Sequence, residues 1–445
     1  MVLSWTRRNI FRLVKKEKRQ TQGGGFGGEL EVEVVIPNHF QCPVSLELMT
    51  DPVALSTGIT YDRVSIEKWI EGGNKTCPVT NQVLTTFDSI PNHAIRRMIQ
   101  DWCVENNSYG IERIPTPRIP LSNYEISQTC TRILAACQRG DDKKCQELVG
   151  KIKVWGRESE RNKRCIIGNH ASTNPGVGAV LTNAFDCFSS GDSFDKHVAV
   201  LEEILEVLTW MTPLEEESVP KLSSKASLNC MVWFLEGKDL ASRQSAALLL
   251  RQVRVQELAK VGKVVEALVN MIREPIGSTS TKACLATIFN LVSSTENRGE
   301  IAQRFVELGL VSLLLEAIVD GEKGVCEKAL GVLDCICDTQ KGKEVVNNNA
   351  LTLPLVIKKL LRVSPLASSF AVSILRKNCD KNEEGVLIDA VHVGAFQKLL
   401  VLLQVGCDES TKENATELLK LLNGYRNKAE CTDSSLDFKY LKKSF

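Results

Sequence analysis

A helical signal that repeats through the second two-thirds of the chain limits its fold more than any other feature. Leu201, Ala246, Cys284, Ala329, Ala371 and Ala415 follow one another at spacings of 45, 38, 45, 42 and 44 residues. Four residues after each stand Leu205, Leu250, Ile288, Leu333, Leu375 and Leu419. Seven after each stand Leu208, Val253, Leu291, Ile336 and Leu422, with Asn378 the exception. Offsets of 0, 4 and 7 put three side chains on one face of a helix. Between these segments Gly262 precedes 264–268, Gly309 precedes 311–315 and Gly394 precedes 396–400, each run mostly apolar. A unit of this kind cannot bury its own apolar face, so successive units must stack into a superhelical solenoid with a long groove.

An all-helical period of about 40–47 residues is that of armadillo and HEAT arrays. Cys145, Leu148, Val149 and Ile152 extend the array, although Cys145 lies 56 residues before Leu201. The stretch 162–191 therefore reads as an insertion or an irregular repeat. The array carries no chemistry of its own. His170, His197 and His392 are isolated, and no zinc-protease, nucleophile-elbow or phosphate-loop motif occurs. Nuclear import is a weak alternative, because the regular Trp and Asn ladder of such grooves is missing.

Charge and composition remove other classes. The 445 residues hold 55 Lys and Arg against 54 Asp and Glu, a net charge of +1, so nucleic acid is not an expected partner. The 43% hydrophobic content supports a large core. No apolar run approaches the roughly 20 residues of a membrane span, so an integral membrane protein is not expected. The sixteen cysteines are spread along the chain without a signal peptide before them. They read as reduced core residues of a cytoplasmic protein, membrane-associated or partly nuclear forms remaining open.

Five regions follow. Residues 1–35 form a basic, glycine-rich tail, with seven cations and one acid in the first twenty. It is expected to be solvated; the alternative is peripheral contact with an anionic membrane through Trp5, Ile10, Leu13 and Val14. Residues 36–110 form a compact, loop-rich domain, 111–125 a linker stiffened by Pro115, Pro117 and Pro120, 126–425 the helical repeats, and 426–445 a C-terminal tail. In the small domain two helices are predicted. Over 62–71, Ile66, Trp69 and Ile70 share a face with Asp62 as N-cap. Over 92–106, Ile95, Met98, Ile99 and Trp102 share a face with Asn92 as N-cap.

The small domain repeats a short pattern, Cys42-Pro43-Val44-Ser45 and Cys77-Pro78-Val79-Thr80. A zinc cross-brace would put a second cysteine at each place and further ligands between. Ser45 and Thr80 stand there instead, and 46–76 holds neither Cys nor His. Metal is not expected. Hydrogen bonds and ion pairs must close the loops, with Ser45, Thr80, Asp51, Asp62 and Arg63 as candidate ties beside Cys42 and Cys77.

Phe40 to Val53, then Gly58-Ile59-Thr60-Tyr61-Asp62-Arg63, Ile66 to Trp69, Cys77 to Thr80, Pro91-Asn92 and Trp102-Cys103 resemble the U-box of ubiquitin ligases throughout. A U-box followed by armadillo repeats resembles the plant U-box armadillo family, in its stress- and immunity-associated branch. The resemblance implies an α+β, zinc-free RING-like domain followed by an all-α armadillo solenoid. It implies an E3 ubiquitin ligase without a cofactor, whose partners are a ubiquitin-conjugating enzyme (E2), ubiquitin and a protein substrate held by the repeats. It assigns E2 contact to Val44, Leu46, Trp69 and Pro78, and places Asn81 where RING-like ligases and many U-boxes carry a basic residue that clamps ubiquitin. A homodimer through the U-box stays open. No residue of the chain need bond covalently to ubiquitin; a thioester on Cys42 or Cys77 is the rival mechanism, and a non-catalytic armadillo adaptor the rival function.

Overall fold

The computed structural model describes residues 36–107, 111–112, 114, 121–168, 175–190, 194–294, 296–379 and 384–425. The basic tail, the three linker prolines and the 426–445 tail lie outside the described residues. The chain divides into two compact units, Met1–Pro120 and Leu121–Phe445.

The first unit has a three-stranded antiparallel sheet and two helices. Strand β1 (Pro52–Ala54) lies between β2 (Thr60–Asp62) and β3 (Ile90–Pro91), with Val53 opposite both Tyr61 and Pro91. Helix α1 (Arg63–Glu71) follows β2 directly, and α2 (His93–Glu105) follows β3. Their core is Phe40, Met49, Val53, Tyr61, Ile66 and Ile99, with Cys42, Cys77 and Cys103 fully enclosed. Asn92 caps α2 as expected, its Oδ1 accepting from Ile95 N at 3.1 Å. Two expectations change. Asp62 occupies the N-cap position of α1 but makes no capping bond; its carboxylate is drawn to the 50–51 backbone. Met98 is 48% exposed, and Cys103, four residues after Ile99, takes its place on the buried face of α2.

The second unit is a helical stack. Asp142–Glu158, Val198–Thr209, Leu240–Leu250, Ser278–Ser294, Lys323–Ile336, Pro365–Asn378 and Glu409–Asn423 pack each on the next. The helix before each in a second layer packs on its partner, from Asn123–Arg139 through Val177–Ser189 to Ala395–Val405. The six repeat anchors, Leu201 to Ala415, are completely buried, and so is Cys145. The segment read as an insertion or an irregular repeat holds a second-layer helix, Val177–Ser189, which packs on Asn123–Arg139 and Val198–Thr209. Extra chain around the helix Glu160–Ile167 lengthens this unit without breaking the stack.

Local rules set the helix starts. Asp141, Asp239, Ser364 and Asp408 each accept a bond from the backbone N–H three residues on, capping four of the stacked helices. Gly309 and Gly394 enter their helices with φ of 80° and 89°, a conformation other residues resist. Asn378, polar at an otherwise apolar register, is buried and donates to Ile374 O at 2.7 Å and to Cys337 Sγ at 3.4 Å. Its amide is thus partly satisfied inside the stack.

The tightness of the joints is testable. A Cβ on Gly342 would stand 2.1 Å from Ile336 O and 2.7 Å from Thr339 Oγ1, whereas one on Gly299 meets nothing within 4 Å. Gly342→Ala is expected to cost the solenoid about 2 kcal/mol in urea unfolding, and Gly299→Ala to leave stability unchanged or raise it by about 0.5 kcal/mol.

Candidate partner-docking site

Two loops of the first unit share one hydrogen-bond pattern. Cys42 N donates to Glu47 O at 2.8 Å and Leu46 N to Cys42 O at 2.8 Å. Thirty-five residues on, Cys77 N donates to Gln82 O at 2.8 Å and Asn81 N to Cys77 O at 2.9 Å. Isolated bridges, Gln41 with Leu48 and Thr76 with Val83, close both. Ser45 Oγ accepts from Glu47 N and Thr80 Oγ1 from Gln82 N, each at 3.4 Å. Ser45 and Thr80 therefore each bond within their own turn. The chain-reversing residues, Leu46 and Asn81, have left-handed φ of 61° and 57°. Asn adopts that conformation readily; Leu pays about 1–2 kcal/mol for it.

Strand β2 holds both loops through sulfur. Asp62 N donates to Cys42 Sγ at 3.2 Å. Tyr61 Oη lies 3.0 Å from Cys77 Sγ and accepts from Val79 N at 3.3 Å. Thr57 Oγ1 donates to that sulfur at 3.3 Å. Burial pushes the Cys77 thiol up, but the bonds from Thr57, Thr80 and Tyr61 together outweigh it and bring its pKa down to about 6. Burial, then the bond to Cys77, raises the Tyr61 phenol and keeps it protonated.

A carboxylate pair fastens the helices to the sheet. Asp62 Oδ1 accepts from Thr50 N at 2.8 Å and Asp51 N at 2.9 Å. Asp51 Oδ2 accepts from Arg63 Nε at 2.7 Å, and its Oδ1 is bound by Arg96 of α2. Arg63 also donates to Ser89 Oγ at 2.9 Å, which fixes the approach to β3. Arg96, absent from the expected set, is nearly buried. An arginine on the core side of an amphipathic helix was its signal.

The loops leave an apolar surface uncovered. Val44 and Leu46 are each 38% exposed, Val79 is 51% exposed and Pro78 half-buried. Trp69 is half-buried, packs on the core, and donates from Nε1 to Thr76 O at 2.9 Å. Its indole thus supports the base of the second loop. Val79 was missed from sequence, although the register Cys-Pro-Val, matched to Val44, marks it. Asn81 is exposed at the tip.

A family model for the U-box domain matches residues 36–108, and one for the plant U-box protein ARM repeat region matches 125–442. The chain belongs to the plant U-box armadillo-repeat family. It is 49% identical to U-box domain-containing protein 21 of Arabidopsis thaliana over 424 residues, 94% of this chain and 95% of that one. It is 35% identical to the Arabidopsis thaliana E3 ubiquitin-protein ligase PUB23 over 411 residues, covering 89% and 94% of the two chains. E3 ubiquitin-protein ligase PUB22 of the same plant is 32% identical, with 92% and 99% covered. The chain is accordingly a U-box E3 ubiquitin ligase whose armadillo region binds protein.

The sulfur frame makes the U-box sensitive to pH. Cys77 titrates near 6 when folded and about 8.5 when unfolded. A depressed pKa adds stability that is fully present above about 8.5 and is lost as pH falls through about 6. Amide-exchange protection of the U-box, measured on the full chain, is expected to rise with pH across that window after correction for intrinsic exchange. In Cys77→Ser the rise is expected to flatten.

Proposed function

We propose that the E2 seats on Val44, Leu46, Pro78 and Val79, with the Trp69 indole as the wall behind them. The observation that carries this reading is the pair of matched loops, which hold small apolar side chains out of the core at the cost of a strained leucine. Backbone strain of this kind persists where surrounding structure enforces it, and it clusters at functional sites. A few apolar anchors in a shallow groove supply most of the energy of such an interface.

Ubiquitin then passes from the E2 thioester to a substrate lysine. The ligase supplies proximity by holding both partners on one chain. Asn81 offers an amide to ubiquitin where many RING-like ligases carry a cation, which predicts a weaker clamp. A thioester on Cys77 is disfavoured despite its low pKa, because the side chain is fully enclosed and its sulfur is engaged by three hydroxyls. The solenoid face, with its paired charges such as Lys153 with Glu206 and Lys377 with Asp334, is the substrate surface. We place the protein in stress or defence signalling in the cytoplasm, where the thiols of Cys42 and Cys77 stay reduced and able to accept hydrogen bonds. A U-box homodimer and membrane contact through the basic tail extend the same reading.

Leu46→Asn separates binding from folding. It removes an exposed apolar contact while relieving strain, so thermal stability is expected to hold or rise. Ubiquitin-chain formation with a panel of conjugating enzymes is expected to fall about tenfold, since loss of about 1.4 kcal/mol of E2 binding has that effect. Val44→Ala and Trp69→Ala are expected to lower it as well. Undiminished ladders in all three would remove the proposed groove; no ladders from the wild-type chain with any E2 would favour the adaptor reading.

A further inference from the structure

The turn between the helices Thr352–Lys359 and Pro365–Asn378 gathers positive charge without an opposing acid. Lys323, Lys358, Lys359 and Arg362 line a cleft of about 140 Å³, with Cys326 and Val363 beside them and no carboxylate in its lining. Of the acids near in sequence, the exposed Asp320 lies outside that lining, and two others are engaged elsewhere. Glu322 pairs with Lys282 at 2.8 Å, and Glu327 accepts from Ser364. Lys359 is turned inward, its Nζ 3.5 Å from Val319 O and 3.7 Å from Cys326 Sγ. Lys398 adds a fifth cation behind the turn, donating to Ile357 O at 2.6 Å and Lys358 O at 3.1 Å. Burial, then Arg362 and Lys358, brings its ammonium down to about 8. Arg362 and Lys358 thus repel the Lys398 ammonium, and an anion in the cleft would relieve that cost.

The backbone adds a second observation. Leu361 has φ of 63°, and its N–H donates to Ser368 Oγ at 3.1 Å. Among the described residues only three other than glycine have positive φ, namely Leu46, Asn81 and Leu361. The first two shape the loops assigned above to partner contact. The third lies between Lys358 and Arg362, and the bend it enforces leaves Arg362 exposed beside the exposed Lys358.

We propose that this cleft binds a phosphorylated side chain of a protein held by the solenoid, an inference that rests on reading the solenoid as the substrate surface. A phosphomonoester brings nearly two negative charges and three acceptor oxygens, which suits an arginine fork flanked by lysines. A carboxylate brings one charge and engages fewer donors. The cleft is a recess between the Gly321 turn and the 360–364 turn, sized for one such group, whereas a lipid surface would favour cations spread across a plane.

The binding measurement uses the full chain and needs neither E2 nor ubiquitin, so its failure is distinct from failure of the ligase reading. A fluorescent degenerate peptide pool with one fixed phosphoserine is titrated by anisotropy against its unphosphorylated twin. The wild type is expected to bind the phosphorylated pool at least about tenfold tighter, and Lys358→Ala/Arg362→Ala to lose that preference. Lys238→Ala, which removes an exposed cation elsewhere, is expected to retain it. Chain building by the double variant without added substrate is expected to be unchanged. Equal binding of both pools, a preference that survives in the double variant, or binding through these residues only to vesicles carrying phosphoinositide or to inorganic phosphate would overturn the proposal.

Discussion

Two sulfur atoms and one strand do for this U-box what metal ions do for a cross-braced zinc domain. Adjacent residues of β2 hold the two loops: the Asp62 N–H donates to Cys42, and the Tyr61 hydroxyl is hydrogen-bonded to Cys77. Each sulfur sits at the start of a turn whose backbone bonds match those of the other. The loops are therefore set relative to one strand and hence to one another. Everything exposed at their tips, from Val44 to Val79, inherits its position from those contacts. Hydrogen bonds to sulfur are individually weak. Their effect comes from convergence in a fully enclosed site, where an unmet donor is costly.

The Asp51 carboxylate complements the sulfur frame where the sheet meets the start of α1. It joins Arg63 at the start of α1 to Arg96 in α2, and both cations are largely shielded from water. Removing one partner from such a cluster leaves charge stranded, which is costlier than the net gain from forming it. Sheet, first helix and second helix are thus locked by a single acid. The solenoid reaches rigidity by another route, an unbroken apolar seam through seven stacked helices, four of them with side-chain caps at their starts. One unit presents a fixed small surface; the other presents an extended one. Ligation by proximity needs both.

Much of this was legible before any coordinates. The repeat anchors are buried because a 0, 4, 7 offset can only be satisfied against a neighbouring helix. The replacement of ligand cysteines by Ser45 and Thr80 pointed to hydrogen-bonded loops. What could not be read was which polar group meets which. Asp62 has the sequence position of a helix cap, yet the unsatisfied amides of residues 50 and 51 lie closer and win it. Ser45 serves only its own turn. Met98 loses its place to Cys103 because the packing partners of α2 lie on one side only. Arg96 and Val79 were overlooked because each depends on contacts far apart in sequence or on a register comparison between two loops. The left-handed Leu46 and Leu361 carry no sequence signature, since leucine gives no hint of positive φ.

The most direct measurement is hydrogen–deuterium exchange of the full chain with and without a ubiquitin-loaded conjugating enzyme. Protection gained at 42–48 and 76–83, with the solenoid amides unchanged, is the expected result. A complex that forms while those two segments exchange as freely as before would contradict the docking surface described here.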